Sequence, residues 1–281
     1  MQIRIMREGD LPTALTLSQQ VKWPHRLEDW QQALSLGAGI VVEEKGQVVG
    51  TALGWRWGEH YATLGLVIVN PACQGRGIGK QLLLAVLENM PGYTVRLHAT
   101  DAGRPLYEKL GFQVTGIIQQ HQCAALGRIT PTLPTAHQFL SAARPQDAAV
   151  LTALDQRAHG QSRPALIAML LAEAERVVIV KDQYGLPQGF AALRRFGRGL
   201  AIGPVIAHDP QQARVLVSEL LQPLAGEFVR IDSDPLLGLG AWLETQGLPV
   251  VDVPTVMIRG TPWIPAAGAP QAFGLMSQAL G

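Results

Sequence analysis

The chain has 281 residues, of which 47% are hydrophobic, and its formal net charge is +1. This length favours two domains, and the near-neutral charge lacks the basic excess of most nucleic-acid-binding proteins. No apolar run approaches the length of a membrane span, the N-terminal MQIRIMREGD has no signal-like apolar centre, and the two cysteines have no metal-site spacing. We therefore expect a globular cytoplasmic protein with no metal, no nucleic-acid partner and no membrane association.

Local patterns in the first half predict strands and helices in a regular order. IRIMREGDLPTALTLSQQV reads as a strand leading into a helix, and GIVVEEKGQVVGTALGW reads as a hairpin. YATLGLVIVNP follows as a buried strand that ends at Asn70-Pro71. After the segment QGRGIG, the run KQLLLAVLENM predicts a helix that stops at Pro91. TVRLHAT then alternates like a strand.

The segment between strand and helix carries three glycines, Gly75, Gly77 and Gly79. A helix start has free backbone N–H groups and a partial positive charge, and glycines let those amides approach a phosphate. The Walker A pattern fails because Gln74 replaces its first glycine, and the dinucleotide pattern fails because Lys80 replaces its last. The alternative is a turn that only reverses the chain.

Gln74-Gly75-Arg76-Gly77-Ile78-Gly79 resembles the [RQ]-x-x-G-x-[GA] signature of the GNAT superfamily of acyl-CoA-dependent N-acyltransferases. The resemblance implies that the turn amides hold the pyrophosphate of acetyl-CoA and that the preceding strand aligns its pantetheine arm. The cofactor-binding residues expected on this basis are Val67, Ile68, Val69, Gln74, Gly75, Arg76, Gly77, Ile78, Gly79, Lys80 and Thr100.

A second segment, DAGRPLYEKLGFQV, resembles the Y-x-x-x-G-F motif of the same family through Tyr107, Gly111 and Phe112. The resemblance implies that the Tyr107 hydroxyl protonates the departing thiolate, which suits a phenol with an ordinary pKa near 10. The alternative is a core aromatic residue. Thr100 stands where many relatives have a coenzyme-binding asparagine, and Thr63 stands where many have a glutamate base.

The general base is therefore unassigned. Candidates are Glu59, His60, His25 and Asp101, and proton loss through water is an alternative. In this family the segment between the first two helices borders the acceptor pocket, so Trp23, His25 and Trp30 are expected substrate contacts. Core packing explains Trp30 equally well.

The second half repeats the first at a nearly constant offset. Asp10 corresponds to Asp147, Pro71 to Pro210 and Gly111 to Gly247, at offsets of 137, 139 and 136 residues. The chemistry is not repeated, because QQARVLV replaces the glycine run and Leu243 replaces Tyr107. We expect a catalytic domain over 1–126, a linker over 127–140 and a degenerate GNAT-like domain over 141–281, ending in a loosely packed Gly/Pro/Ala-rich tail.

The predicted fold class is α/β (α+β), with tandem domains that are each a twisted, mostly antiparallel mixed sheet flanked by helices. The predicted function is transfer of an acetyl group from acetyl-CoA to the primary amine of a small molecule, by a monomer or homodimer. The alternatives are acetylation of a protein or peptide amine, and a non-catalytic acyl-CoA sensor.

Overall fold

The first half forms the expected order of strands and helices. The computed structural model describes residues 1–281. The elements of this half are β1 (Gln2–Ile5), α1 (Leu11–Gln20), α2 (Leu27–Leu36), β2 (Ala38–Glu44), β3 (Gln47–Trp57), β4 (Tyr61–Val69), α3 (Ile78–Glu88), β5 (Thr94–Ala99), α4 (Arg104–Lys109), β6 (Gln113–Ile117) and β7 (Gln119–Cys123).

The second half repeats this order and adds one strand, β15. Its elements are β8 (Phe139–Ala142), α5 (Ala148–His159), α6 (Pro164–Glu173), β9 (Arg176–Lys181), β10 (Pro187–Phe196), β11 (Gly199–Ala207), α7 (Pro210–Leu221), β12 (Val229–Ser233), α8 (Gly240–Thr245), β13 (Val250–Asp252), β14 (Thr255–Arg259) and β15 (Gln271–Gly274). The repeat and the mostly antiparallel mixed sheets flanked by helices are confirmed.

The two sheets exchange one strand each. The first sheet has the order β1-β2-β3-β4-β5-β14-β6, and the second has β13-β7-β12-β15-β11-β10-β9-β8. Strand β14 of the second half therefore pairs with β5 and β6, while β7 of the first half pairs with β12 and β13. The linker predicted at 127–140 divides the chain in sequence, but backbone hydrogen bonding crosses it in both directions, so that boundary stays a prediction.

A crevice opens between β4 and β5. These two strands run parallel and pair only through residues 61–63 and 94–96, so the rest of β4 diverges from β5. In the second half, β11 and β12 pair through residues 200–202 and 229–231 and then diverge in the same way. There the gap is filled, because β15 pairs with both strands.

The largest apolar core joins the two halves. It contains 26 buried residues, contributed by helices α1, α2, α5 and α6 and by strands of both sheets. A second core lies under α7 and a third under α3. Since one core is shared, the two repeats pack as one unit. No helix is both long and apolar enough to cross a membrane.

The C-terminal segment is not a loose tail, contrary to the expectation from its composition. Phe273, Leu275 and Met276 are buried, and residues 271–274 form β15. The side chain of Arg163, itself buried, donates hydrogen bonds to the backbone carbonyls of Leu280 and Gly281 at 2.9 and 2.8 Å. A segment rich in Gly, Pro and Ala is ordered here because its few large apolar residues pack between the repeats.

Candidate functional site

The glycine turn at the start of α3 is held in a left-handed backbone conformation. Gly75 and Gly77 have φ of 76° and 77°, a region that residues with a Cβ rarely adopt. No atom lies within 4 Å of the position that a Cβ would occupy on either residue. Turn geometry therefore requires both glycines, and the space above them is open to a ligand.

The turn presents a continuous run of free amides. The backbone N–H groups of residues 75–80 have no acceptor within the protein, and no side chain caps the start of α3. These donors lie at the positive end of the helix dipole. Such an arrangement suits a phosphate or pyrophosphate group, so the residues present fit the expected coenzyme.

Side chains around the turn fix it against the sheet. The amide of Gln74 donates to the carbonyl of Val69 at 3.2 Å. Arg76 donates two hydrogen bonds to Glu44, at 2.9 and 2.6 Å, and this holds the pKa of the Glu44 carboxyl below its usual range. Because its guanidinium is engaged, Arg76 offers a ligand its backbone amide. Lys80 is exposed at the same end of α3.

The end of β4 forms one wall of the crevice. Leu66 has φ of 51°, and the pairing of β4 with β3 shifts register at this point, so the strand is bulged. The Thr51 hydroxyl donates to the Leu66 carbonyl at 2.8 Å and supports the bulge. Beyond it, Val67 and Val69 pack beside α3, while Ile68 is buried in the shared core. Ile68 thus offers the crevice only its backbone.

Tyr107 lies on α4, next to the turn. Leu106 on the same helix comes within 3.3 Å of the Cβ position of Gly79, and the Tyr107 ring comes within 3.1 Å of that of Gly103. The Tyr107 ring packs edge-on against Phe112, and burial raises the pKa of its hydroxyl to about 12. That hydroxyl makes no hydrogen bond within the protein and keeps contact with solvent. It is a protonated phenol available as an acid.

A cavity of about 430 Å³ lies between the two repeats at the edge of the crevice. Its wall includes Thr100 and Asp101 from the end of β5, Trp23 and His25 from the segment between α1 and α2, and Gly65 and Leu66 from the bulge of β4. His98 on β5 and two glutamines of β7 also line it, and the second half contributes Phe196, Arg198, Arg230 and residues 277–279, among others. We call this space the acceptor cavity.

Two imidazoles line the acceptor cavity. Burial lowers the pKa of His25 to about 4 and that of His98 to about 3. The carbonyl of Gln278 lies 2.6 Å from Nδ1 of His98, so Nδ1 carries the proton and Nε2 keeps its lone pair. Sequence reasoning missed His98. The alternation of TVRLHAT could have identified it, because Val95, Leu97 and Ala99 are buried on the α3 side and His98 faces the other way.

Three expected site residues lie elsewhere. Trp30 is fully buried and its indole N–H donates to the Ser18 hydroxyl at 3.3 Å, so it supports His25 from the core and does not line the cavity. The prediction of Trp30 as a substrate contact is therefore wrong. Glu59 and His60 are exposed at the opposite end of β4 and do not line the cavity. No group of three or more His, Cys, Asp or Glu residues is placed to hold a metal ion.

The equivalent region of the second half lacks a comparable run of free amides beside an open crevice. At the start of α7 the Asp209 carboxylate accepts the N–H of Gln212 at 2.8 Å, which occupies a helix amide and adds negative charge. Strand β15 fills the gap between β11 and β12. Leu243, at the position of Tyr107, is fully buried and carries no proton to donate.

Sequence profiles of the GNAT acetyltransferase domain match both halves, at residues 36–114 and 151–269. An uncharacterised N-acetyltransferase of Bacillus subtilis strain 168, YitH, is 32% identical over 171 residues, which cover 60% of this chain and 59% of the relative. The matched part therefore spans less than two thirds of that relative's length.

Solved structures share the fold over almost the whole chain. A candidate acetyltransferase of Pyrococcus horikoshii matches with a TM-score of 0.79 and 20% identity, covering 100% of this chain and 95% of its own. A GCN5-related N-acetyltransferase of Sphaerobacter thermophilus matches with a TM-score of 0.65 and 16% identity, covering 95% and 98%. At these identities the likeness concerns the fold alone.

Proposed function

Since the chain belongs to the GNAT acetyltransferase family, with one GNAT domain in each half, we propose that its first domain transfers an acetyl group from acetyl-CoA to the primary amine of a small molecule. The observation that carries this proposal is the run of free amides over residues 75–80, which follows β4, the strand whose bulge at Gly65 and Leu66 lines the acceptor cavity. Among the α-helices, α3 alone begins at a left-handed glycine, and no side chain caps its first turn.

In this proposal, residues of the first domain bind and orient the coenzyme. The amides of the glycine turn bind the pyrophosphate, and the edge of β4 beyond the bulge aligns the extended pantetheine arm along the crevice. This orientation brings the thioester towards the acceptor cavity, where the amine attacks its carbonyl carbon. Holding the two reactants in line supplies much of the rate enhancement.

The protons follow separate routes. Tyr107 donates its hydroxyl proton to the departing thiolate, and its raised pKa keeps it protonated at neutral pH. The attacking amine loses a proton to solvent at the open side of the cavity, where Asp101 is exposed. His25 and His98 are buried and neutral in the wall of the cavity. No residue in this scheme forms a covalent bond with the acyl group.

The shape of the acceptor cavity favours a small molecule over a protein substrate. Its walls come from both repeats and from residues 277–279, so the amine enters a space bounded on several sides. A protein amine requires an open groove that can hold a polypeptide on each side of the reactive residue. A cavity of about 430 Å³ has the size of a metabolite site.

The test is a screen of amines for release of free thiol from acetyl-CoA, with mass detection of the acetylated product. The panel should contain amino acids, polyamines, aminosugars, arylalkylamines and short peptides. The proposal predicts turnover with one class of small amine and none with peptides. Coenzyme binding without acetylation of any amine would favour the sensor alternative, and turnover only with peptides would favour the protein alternative.

A further inference from the structure

A second cavity, of about 210 Å³, lies at the paired end of β4 and β5, away from the glycine turn. It is bounded by Tyr61, Ala62 and Thr94 from the first sheet. The end of α5 and the segment that contains Trp263 and Pro265 close it from the second half. We call it the basal cavity. It shares no lining residue with the acceptor cavity.

Three residues that line the basal cavity carry buried polar atoms with no hydrogen-bond partner. These atoms are Nε of Arg96, Nδ1 of His159 and Oε1 of Gln161. Gln161 is only 3% exposed. Buried polar atoms are nearly always paired, because leaving one unpaired costs about 1–3 kcal/mol. Three of them around one cavity indicate that something polar occupies it.

Arg96 brings a positive charge that no carboxylate neutralises directly. No acidic side chain lies within ion-pair distance, and its one polar neighbour is Nε2 of His98 at 3.4 Å. Burial lowers the pKa of Arg96 to about 10, so the guanidinium remains charged at neutral pH. Asp234 also lines the cavity, and its negative charge acts on Arg96 from beyond ion-pair distance, while its carboxylate accepts the backbone N–H of Leu236 at 2.9 Å.

His159 presents an unpaired ring nitrogen, Nδ1, to the same space. Its other ring nitrogen, Nε2, lies 2.8 Å from Nη2 of Arg163, which donates, and 3.1 Å from Oδ1 of Asp155, which accepts. Asp155 also holds Arg163 with two hydrogen bonds, at 2.8 and 2.7 Å. Nδ1 donates to a ligand in the tautomer in which Nε2 accepts from Arg163, and a bound anion favours that tautomer. The amide of Gln161 can present either a donor or an acceptor.

The remaining walls are mostly apolar. They include Ile118, Leu237, Ile258, Trp263 and Leu275. An inorganic ion could form hydrogen bonds with the polar atoms, but the apolar side chains would then remain in contact with water. A molecule with a charged head and a short hydrocarbon body matches both sets of walls.

We propose that the basal cavity is a binding site for a small monocarboxylate with an apolar body, whose carboxylate is held by Arg96 and His159 and whose body packs on Ile118 and Leu275. Arg96 also contacts His98, which lines the acceptor cavity, so occupation of the basal cavity orients a residue beside the reacting amine. Binding at this site requires neither acetyl-CoA nor the acceptor amine.

The test is calorimetric titration of the full chain with benzoate and with 3-methylbutanoate, at constant ionic strength. We expect saturable binding at one site per chain, and binding of the uncharged benzamide that is at least about tenfold weaker, because a charge-assisted hydrogen bond is lost. Arg96→Met should weaken benzoate by a similar factor. The matched control is Arg198→Met, which removes an exposed cation of the acceptor cavity and should leave benzoate binding unchanged.

Melting curves and circular dichroism should accompany each variant, and Gln161→Met replaces Arg96→Met if the latter does not fold. Absence of saturable heat with both carboxylates would show that ordered water alone fills the cavity and would overturn the proposal. Equal affinity for benzamide, undiminished binding in the basal-cavity variant, or loss of binding in Arg198→Met would also overturn it. None of these outcomes depends on acetyl transfer.

Discussion

At the scale of single residues, the hydroxyl of Tyr107 carries the clearest chemical assignment. Tyr107→Phe removes one oxygen and keeps the ring packed against Phe112. A proton donated to a leaving group acts in the transition state, so kcat should fall by roughly a hundred- to ten-thousandfold while acetyl-CoA affinity stays close to normal.

Steady-state kinetics on an accepted amine, together with a binding titration, measure this effect. Tyr93→Phe is the matched control, since the Tyr93 hydroxyl is exposed and only donates to the carbonyl of Gly58. An unchanged kcat in Tyr107→Phe would leave this residue a core aromatic and the acid unassigned.

The imidazoles of His25 and His98 make stability depend on pH. Their pKa values fall from 6.5 to about 4 and about 3 on folding, because burial disfavours the charged ring. Between these values and 6.5 the unfolded chain binds more protons than the folded one, so stability decreases as the pH falls. The slope is at most about 1.4 kcal/mol per pH unit for each histidine.

Melting temperatures recorded from neutral to acidic pH test this linkage. His98→Asn keeps a donor for the carbonyl of Gln278 and cannot titrate, so its curve should be flatter than that of the wild type below pH 6.5. Identical slopes for the two proteins would mean that His98 titrates normally in the folded state.

At the scale of secondary-structure elements, α3 and α7 occupy equivalent places and differ at their first turns. Asp209 caps α7, whereas left-handed Gly77 leaves the start of α3 free. Asp209→Ala should lower the free energy of unfolding by about 0.5–2 kcal/mol, as loss of an N-cap does. It should create no second acetyl-CoA site, because β15 still fills the gap beside α7.

Chemical denaturation and an acetyl-CoA titration of the variant measure both effects. A stoichiometry of two in Asp209→Ala would show that the cap alone closes the second site, and that β15 does not.

Several elements could be predicted because their signal is local. The strand before Asn70, the glycine turn and the helix after it follow from periodicity and turn chemistry within about 30 residues. The duplication also followed from sequence alone, since matching segments recur at a constant spacing. The strand exchange could not, because β7 and β14 have the same short extended pattern whichever sheet they join.

The expectations for Trp30 and for the C-terminal segment were wrong because both depend on packing between residues far apart in the sequence. Trp30 lies in an amphipathic helix beside His25, and sequence alone does not say which of the two side chains points to the core. The C-terminal segment has a composition typical of loops, yet β15 lies in the second sheet and residues 277–279 reach the acceptor cavity. Neither of these long-range contacts can be recognised from the residues of the segment alone.

At the scale of the whole molecule, the exchanged strands tie the two repeats into one folding unit. Suppose that the chain is cut within the segment from Gly127 to Gln138. The first half then keeps β7, which belongs to the second sheet, and the second half keeps β14, which belongs to the first sheet. Each sheet therefore lacks one of its strands. Each half also exposes its part of the shared apolar core. We expect each half to be insoluble or unfolded alone, and the two co-expressed halves to assemble and bind acetyl-CoA.

Circular dichroism and gel filtration of the separate and co-expressed halves measure this prediction. The undivided chain should show a single cooperative melting transition. A first half that folds alone and binds acetyl-CoA with the affinity of the full chain would contradict the view that the exchange is structural.

We propose that the two GNAT domains carry one coenzyme site, at the glycine turn of the first. Aspartate tolerates left-handed backbone better than most residues, and Gly77→Asp adds a negative charge among the free amides. Gly92 is the matched control, since it has φ of 78° and equally open surroundings in a turn remote from the site.

The measurement is calorimetric titration of acetyl-CoA into the wild type, Gly77→Asp and Gly92→Asp. We expect one site per chain in the wild type and in Gly92→Asp, and affinity at least about tenfold lower in Gly77→Asp because the added carboxylate repels the pyrophosphate. Two sites per chain, or unchanged affinity in Gly77→Asp, would contradict the proposal.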